Sequence, residues 1–275
     1  MNPTAPDAGG AADDRPRVRV ETNGARRTLA LARPDKKNAL DRRMADELHA
    51  AIEAAAADEA VRVIVITGDG EDFCAGADLA ALERLLAEGR EAHRADAAAL
   101  GRVFVSLRAA GKPTVAVVRG RALAGGAGLA SACDLVLAHE GAQFGYPEVR
   151  IGFVPAMVMT MLRRAVGEKR AFDLVGTGRV IGADEAERIG LVSRVLAAPE
   201  FDGERDRVLD ALSRTPPGAM AFTKSLLYRL DDLGFAAGIE AGVDTNVEAR
   251  LTPEFRAGVE RFLARSTSAD TGAAR

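Results

Sequence analysis

The 275-residue chain has two cysteines, three histidines and no block of like charge. Cys74 and Cys133 lie far apart in unrelated patterns, which argues against a disulfide framework and for a reduced, cytoplasmic chain. His49, His93 and His139 share no metal-ligand spacing and follow no nucleophile motif, so no metal is expected and each histidine is expected at the surface. Cys133, next to Asp134, fits a buried small apolar residue better than a nucleophile. Lys+Arg 37 against Asp+Glu 40 leaves a net charge of −3. That balance gives no footprint for nucleic acid and favours a small neutral or acidic ligand. No apolar run approaches membrane-spanning length, so no membrane is expected as a partner. Residues 1–15 lack the apolar centre of a signal peptide and are expected to form a disordered tail, as are the small polar residues 266–275.

What the chain does have is an apolar fraction of 48%, enough for a sizeable core, and a repeated alternation of strand and helix signals. Arg17 to Glu21 and Thr28 to Ala32 flank Asn23-Gly24, a two-residue hairpin signal. Leu40, Met44, Leu48 and Ile52 recur every fourth residue, and Asp41 can cap the helix they imply, which runs to about Ala57. Val61 to Thr67 is nearly all apolar and ends at Gly68, the pattern of a strand covered on both faces. Two helical stretches, Leu79 to Leu86 and Arg94 to Ala110, precede a second buried strand that begins at Thr114. Beyond Pro155 the chain is rich in helix signals, with a small strand or turn in Gly190 to Val195. The expected organisation is an α/β core over 16–214 and a helical subdomain over 215–265, divided near Thr215-Pro216-Pro217.

Two corners of small residues follow buried strands. One is Cys74-Ala75-Gly76-Ala77-Asp78, and the other runs through Gly120, Gly125, Gly126 and Gly128. Glycine at such a corner serves either close strand-to-helix packing or close approach of the backbone to a ligand. A helix starting near Gly125 would aim its free N–H groups at negative charge.

These residues carry a resemblance. Arg33-Pro34-Asp35-Lys36-Lys37-Asn38-Ala39-Leu40, Ala75-Gly76-Ala77-Asp78-Leu79, Leu123-Ala124-Gly125-Gly126-Ala127-Gly128-Leu129 with Cys133-Asp134, Pro147-Glu148-Val149-Arg150-Ile151-Gly152-Phe153-Val154-Pro155 and Gly190-Leu191-Val192 are similar, in this order, to the crotonase (enoyl-CoA hydratase/isomerase) superfamily. The resemblance spans roughly residues 17–264. It implies a spiral of ββα units, a C-terminal helical region that mediates trimerisation, a homotrimer or hexamer, and acyl-CoA thioesters as substrates with no further cofactor. By the same resemblance, the N–H groups of Ala77 and Gly125 form an oxyanion hole. Lys37, Ala39, Ala75, Asp78, Leu79, Leu123, Gly126, Gly128, Tyr146, Val154 and Lys224 are implied at the CoA or acyl site, with Lys36 a further candidate for the CoA phosphates. Leu82, Leu85, Val154 and Met157 are expected in the pocket wall.

The chemistry agrees with that implication. Adding to, or deprotonating, the carbon chain of a thioester places charge on the carbonyl oxygen, which two preset N–H donors stabilise. Hydratases of the family usually carry two glutamates; here Gly128 stands at the first position and Glu148 at the second. Flanked in sequence by Phe144, Tyr146, Ile151 and Phe153, Glu148 is expected to have its pKa raised toward the range of acid/base work. Asp78 either caps the following helix or lines the site. One carboxylate suits the shuttling of a single proton in a Δ3-Δ2 isomerase. The glycine-rich run also resembles hydratases of branched or carboxylated enoyl-CoAs, in which glycine holds the first position too. An enoyl-CoA hydratase is the first expectation and an isomerase the second. A non-catalytic acyl-CoA binder would have no use for Glu148, and an RNA-binding relative would show clustered lysines, whereas the basic residues here are dispersed among acids.

Overall fold

The computed structural model describes residues 15–272. Its elements are β1 (Val18–Asn23), β2 (Arg26–Leu31), α1 (Arg42–Ala57), β3 (Val63–Gly68), α2 (Leu79–Leu85), α3 (Arg90–Ala109), β4 (Thr114–Val118), β5 (Arg121–Leu123), α4 (Gly125–Ala132), β6 (Leu135–His139), β7 (Gln143–Gly145), α5 (Val158–Val166), α6 (Glu168–Thr177), β8 (Val180–Gly182), α7 (Ala183–Arg188), β9 (Arg194–Leu196), α8 (Phe201–Arg214), α9 (Pro217–Arg229), α10 (Phe235–Leu251) and α11 (Pro253–Gly272).

The larger sheet has the order β1-β2-β3-β4-β6-β9, parallel throughout except for the β1–β2 hairpin. Alternation explains why β3 and β4 are apolar on both sides. Ile64, Ile66, Ala116 and Val118 face a core shared with α1, α3 and α4, while Val63, Val65, Val115 and Val117 face a smaller core closed by Phe201 and Leu209 of α8. Asp41 caps α1 as the sequence predicts, accepting from the Met44 N–H at 2.8 Å. A second, three-stranded sheet has the order β5-β7-β8, so each strand of the large sheet followed by one of the small sheet and a helix makes one turn of a spiral.

Three expectations need correction. The hairpin turns at Gly24-Ala25, because Asn23 and Arg26 are paired; Gly24, at φ +57°, takes the left-handed position. The small polar residues from 266 onward continue α11 as far as Gly272, for they contain no proline or earlier glycine to stop a helix already begun; residues 1–14 and 273–275 of the expected tails lie outside the described residues. His49 and His139 are only partly exposed, and His49 Nδ1 is buried without a partner.

Candidate active site

The small sheet aligns three exits. Cys74 bridges Ala122, and Ala122 pairs with Phe144, all parallel, so the chain leaves these three positions side by side and in the same direction. Three residues on lie Ala77 and Gly125, and four residues beyond Phe144 lies Glu148. The residues that the sequence marks for chemistry thus follow, at one end, the two paired strands β5 and β7 and the bridge at Cys74.

Each exit is fixed by backbone contacts. Leu123 donates to Cys74 O and Ala124 to Gly145 O. A Cβ at Gly76 would meet Ala124 Cβ at 2.8 Å and lie 3.6 Å from Gly125 N, so the two corners touch where glycine alone fits; Gly76 has φ +98°. Gly126 is pressed against Cys74 in the same way, with only 2.3 Å between its absent Cβ and Cys74 O. Ala124 is held at φ +50°, a conformation that an alanine rarely adopts, and it turns the chain so that Gly125 opens α4. Leu40 N donates to Gly76 O and Asp78 N to Leu40 O, while Ala77 N and Gly125 N donate to no protein acceptor among the described residues. Ala77 is exposed and Gly125 partly so. Two unspent donors therefore face outward next to each other, one at the N-terminus of a helix.

The loop of residues 33–40 supports the first corner. Buried Asn38 accepts from Arg33 N and donates to Asp69 O and Asp72 O, with Lys37 and Asn38 both at positive φ. Ala75 N donates to Lys37 O. Arg33, which the sequence reading did not single out, is 7% exposed and binds Ala39 O, Asp78 and Asp41 together. Asp78 caps α2 through Ala80 N and Ala81 N. Burial pushes its pKa up, but the Arg33 contact and the cap outweigh this and leave it below the usual carboxylate range. Asp78 is therefore spent on structure. Lys36 and Lys37 stand exposed on the same loop and make no ion pair among the described residues; Leu79 is exposed and Ala39 partly so.

Glu148 sits in a short 3₁₀ turn, Pro147–Ile151, backed by Gly178 at φ +62°. It is 8% exposed, its Oε2 is buried with no hydrogen-bond partner, and burial raises its pKa. Phe144 and Tyr146 are fully buried beside it, whereas Ile151 and Phe153 are exposed and do not screen it as expected. A cavity of about 60 Å³ opens against Ala77, lined by Leu40, Leu82, Leu85 and Leu100 among others.

Four expected ligand contacts lie elsewhere. Lys224 is 5% exposed; it pairs with Asp134 at 2.8 Å and donates to Leu107 O and Lys112 O, which fastens α9 to the base of β4 and leaves no charge for a phosphate. Tyr146 points into the core, with its hydroxyl 3.3 Å from Ser131 Oγ. Val154 is on the surface, outside the cavity lining. At Gly128 a Cβ would lie 2.2 Å from Val158 Cγ1, so the position where the family carries its first glutamate is filled from α5. Both cysteines are buried, with the Cys74 thiol pushed up to about 12 and that of Cys133 higher, so neither is a nucleophile.

Comparisons with known proteins give the family. Residues 21–269 match the family described as Enoyl-CoA hydratase/isomerase. A putative enoyl-CoA hydratase of Thermus thermophilus is 42% identical over 230 residues, covering 84% of this chain and 91% of the relative. A crotonyl-CoA hydratase of Syntrophomonas wolfei is 38% identical over 78% of this chain and 80% of its own length. Among solved structures, an enoyl-CoA hydratase of Mycobacterium smegmatis superposes with a TM-score of 0.86 at 31% identity, over 91% of this chain and 97% of that one. With its aligned exits, its paired corners and these relatives, the chain belongs to the enoyl-CoA hydratase/isomerase family.

Proposed function

We propose that the protein is an enoyl-CoA hydratase, adding water reversibly across the double bond of a 2-enoyl-CoA thioester with Glu148 as its acid/base. The observation that carries this reading is that β5, β7 and the bridge at Cys74, paired in register, lead in one direction to two unspent N–H donors and one buried, unpartnered carboxyl. The thioester oxygen accepts from Ala77 N–H and Gly125 N–H. Ionised Glu148 takes a proton from water as its oxygen bonds to C3, the electron pair of the double bond moves onto C2 and the thioester oxygen, and the same carboxyl then returns the proton to C2. Atoms and charge balance without a metal or redox group. The loop that carries Lys36 and Lys37 is tied to the first corner by the Ala75 N–H, which donates to Lys37 O, and both exposed lysines suit the CoA phosphates.

The filled position at Gly128 favours a second reading, a Δ3-Δ2 isomerase, in which the single carboxyl moves one proton and no water is held. Incubation with crotonyl-CoA and with 3-hexenoyl-CoA separates the two. Loss of the conjugated thioester absorbance with crotonyl-CoA is the expected result; its appearance with 3-hexenoyl-CoA, and no change with crotonyl-CoA, assigns the isomerase.

The exposed apolar faces of α9 to α11 support association into a trimer or a dimer of trimers, with residues 215–265 as the associating region.

A further inference from the structure

The cavity against Ala77 contains one charged group that the fold does not use. The cavity opens between α1, α2 and α3 into a groove of about 510 Å³, and Asp41, Arg42 and Asp96 border both spaces. Asp41 caps α1 and faces Arg33. Arg42 is bound to Asp46 at 2.7 Å. Asp78, in the inner space alone, is held by Arg33 and by its own cap. Asp96 makes no hydrogen bond and no ion pair among the described residues; it feels only partial burial, the more distant charges of Arg42 and His93, and the repulsion of Asp41 and Asp46. Burial dominates and raises its pKa.

Its position is set by α3. Asp96 and Leu100 are four residues apart and share one helix face. Leu100 Cδ2 lies 3.6 Å from where a Cβ of Gly125 would be, so Leu100 stands against the second corner, and Asp96 stands about 6 Å away along the helix, lining the same cavity as Ala77. The walls between are Leu40, Leu82 and Leu85. A partly desolvated carboxyl without a partner opposes folding. A ligand that supplies a donor removes that penalty, a methyl group leaves it in place, and a second carboxylate adds like-charge repulsion.

We propose that Asp96 is a specificity-determining residue, accepting a hydrogen bond from a hydroxyl on the distal part of the acyl chain, so that the protein selects hydroxylated 2-enoyl-CoA thioesters over alkyl and carboxyl-ended ones. This rests on the hydratase reading and adds the acyl class to it. Sites that hydrogen-bond a substrate group discriminate against analogues that lack it, because an acceptor that the bound chain shields from water is then left unpaired.

The test compares kcat/KM for 5-hydroxypent-2-enoyl-CoA and 6-hydroxyhex-2-enoyl-CoA with their methyl-for-hydroxyl counterparts, hex-2-enoyl-CoA and hept-2-enoyl-CoA, and with hex-2-enedioyl-CoA. The wild type is expected to prefer at least one hydroxy ester over its counterpart by about tenfold or more, with the carboxyl-ended ester last. Asp96→Leu is expected to reverse the preference. Asp96→Asn, which keeps an acceptor oxygen and the side-chain shape, is expected to retain the preference for hydroxyl while losing the discrimination against carboxylate. A hydroxyl-to-methyl ratio that is the same in wild type and Asp96→Leu overturns the proposal. If the wild type turns over none of these esters nor crotonyl-CoA, the hydratase reading fails by itself. Competitive binding of the saturated 5-hydroxypentanoyl-CoA and hexanoyl-CoA then decides the role of Asp96, with equal relative affinities in wild type and Asp96→Leu rejecting it.

Discussion

At the scale of single residues, the acid/base assignment makes opposite demands on activity and stability. Glu148→Gln keeps the shape of the side chain but cannot carry the proton, so kcat is expected to fall by about 10²–10⁴. The pKa of the folded carboxyl is raised by burial above its unfolded value. Its contribution to stability is therefore present in full below the unfolded pKa and is lost as pH rises through the folded one. At neutral pH the ionised carboxyl opposes folding, and Glu148→Gln is expected to melt at the same temperature or higher. By the same shift, the acid limb of kcat/KM should lie above the ordinary carboxylate range, because hydration needs the ionised form. Full activity in well-folded Glu148→Gln would remove the residue from the mechanism.

Gly128 was visible in the sequence as a missing carboxylate, but what fills its place was not. Val158 is thirty residues away on α5, and only packing brings Val158 Cγ1 to 2.2 Å from an added Cβ. Gly128→Glu alone is expected to overpack this contact and to cost about 1–3 kcal/mol of stability without improving hydration. Gly128→Glu with Val158→Ala makes room, and should raise the ratio of crotonyl-CoA hydration to 3-hexenoyl-CoA isomerisation relative to the parent. Thermal melts and the two absorbance assays check both variants; a stable, unimproved double variant would show that a second carboxylate is not what limits hydration here. Lys224 carries the same lesson. A lysine in an amphipathic helix resembles any other, and its pairing with Asp134 depends on contacts across the fold that periodicity cannot report.

At the scale of elements, local pattern revealed the long pieces and missed the short ones. The buried alternation of β3 and β4 and the fourfold spacing in α1 are strong because each spans many residues with one environment. β5 and β7 have three residues each, and Cys74 contributes a single bridge, too few for any period to register, yet the pairing of β5 with β7 and with Cys74 aligns the three exits that build the site. The corners themselves were legible as clusters of glycine and alanine, although their contact with each other was not. That contact is testable at Gly76. A methyl group there would need φ +98° and would press on Ala124 Cβ at 2.8 Å, with Ala124 already strained at φ +50°. Gly76→Ala is expected to move one N–H donor out of line and to lower kcat by about 10²–10³, the usual cost of losing one such donor, with a smaller change in KM. A loss seen only in KM would place the strain away from the thioester oxygen.

At the scale of the whole molecule, the order of motifs along the chain identified the superfamily and with it the spiral, while the surface shows what one chain leaves unfinished. In α10, Phe235, Ile239, Val243, Val247 and Leu251 recur every fourth residue and all are exposed, with Phe235 at 89%; Ala241 is the only buried residue of the helix. Phe255, Val259 and Phe262 of α11 continue the apolar surface and border a groove of about 340 Å³ against Phe222 of α9. A face of this extent is what a monomer avoids and what a closed symmetric assembly buries. Light scattering behind size exclusion at micromolar concentration is expected to give three or six times the chain mass of 28.8 kDa. Ile239→Asp with Val243→Asp puts two carboxylates into the middle of the stripe, where burial without a partner is prohibitive, and is expected to shift the protein to monomers. These side chains are already solvent-exposed in the single chain, so the substitution should leave α10 itself helical by circular dichroism. A wild-type protein that elutes as a monomer would refute the assembly, and the stripe would then have to be covered by something other than copies of this chain.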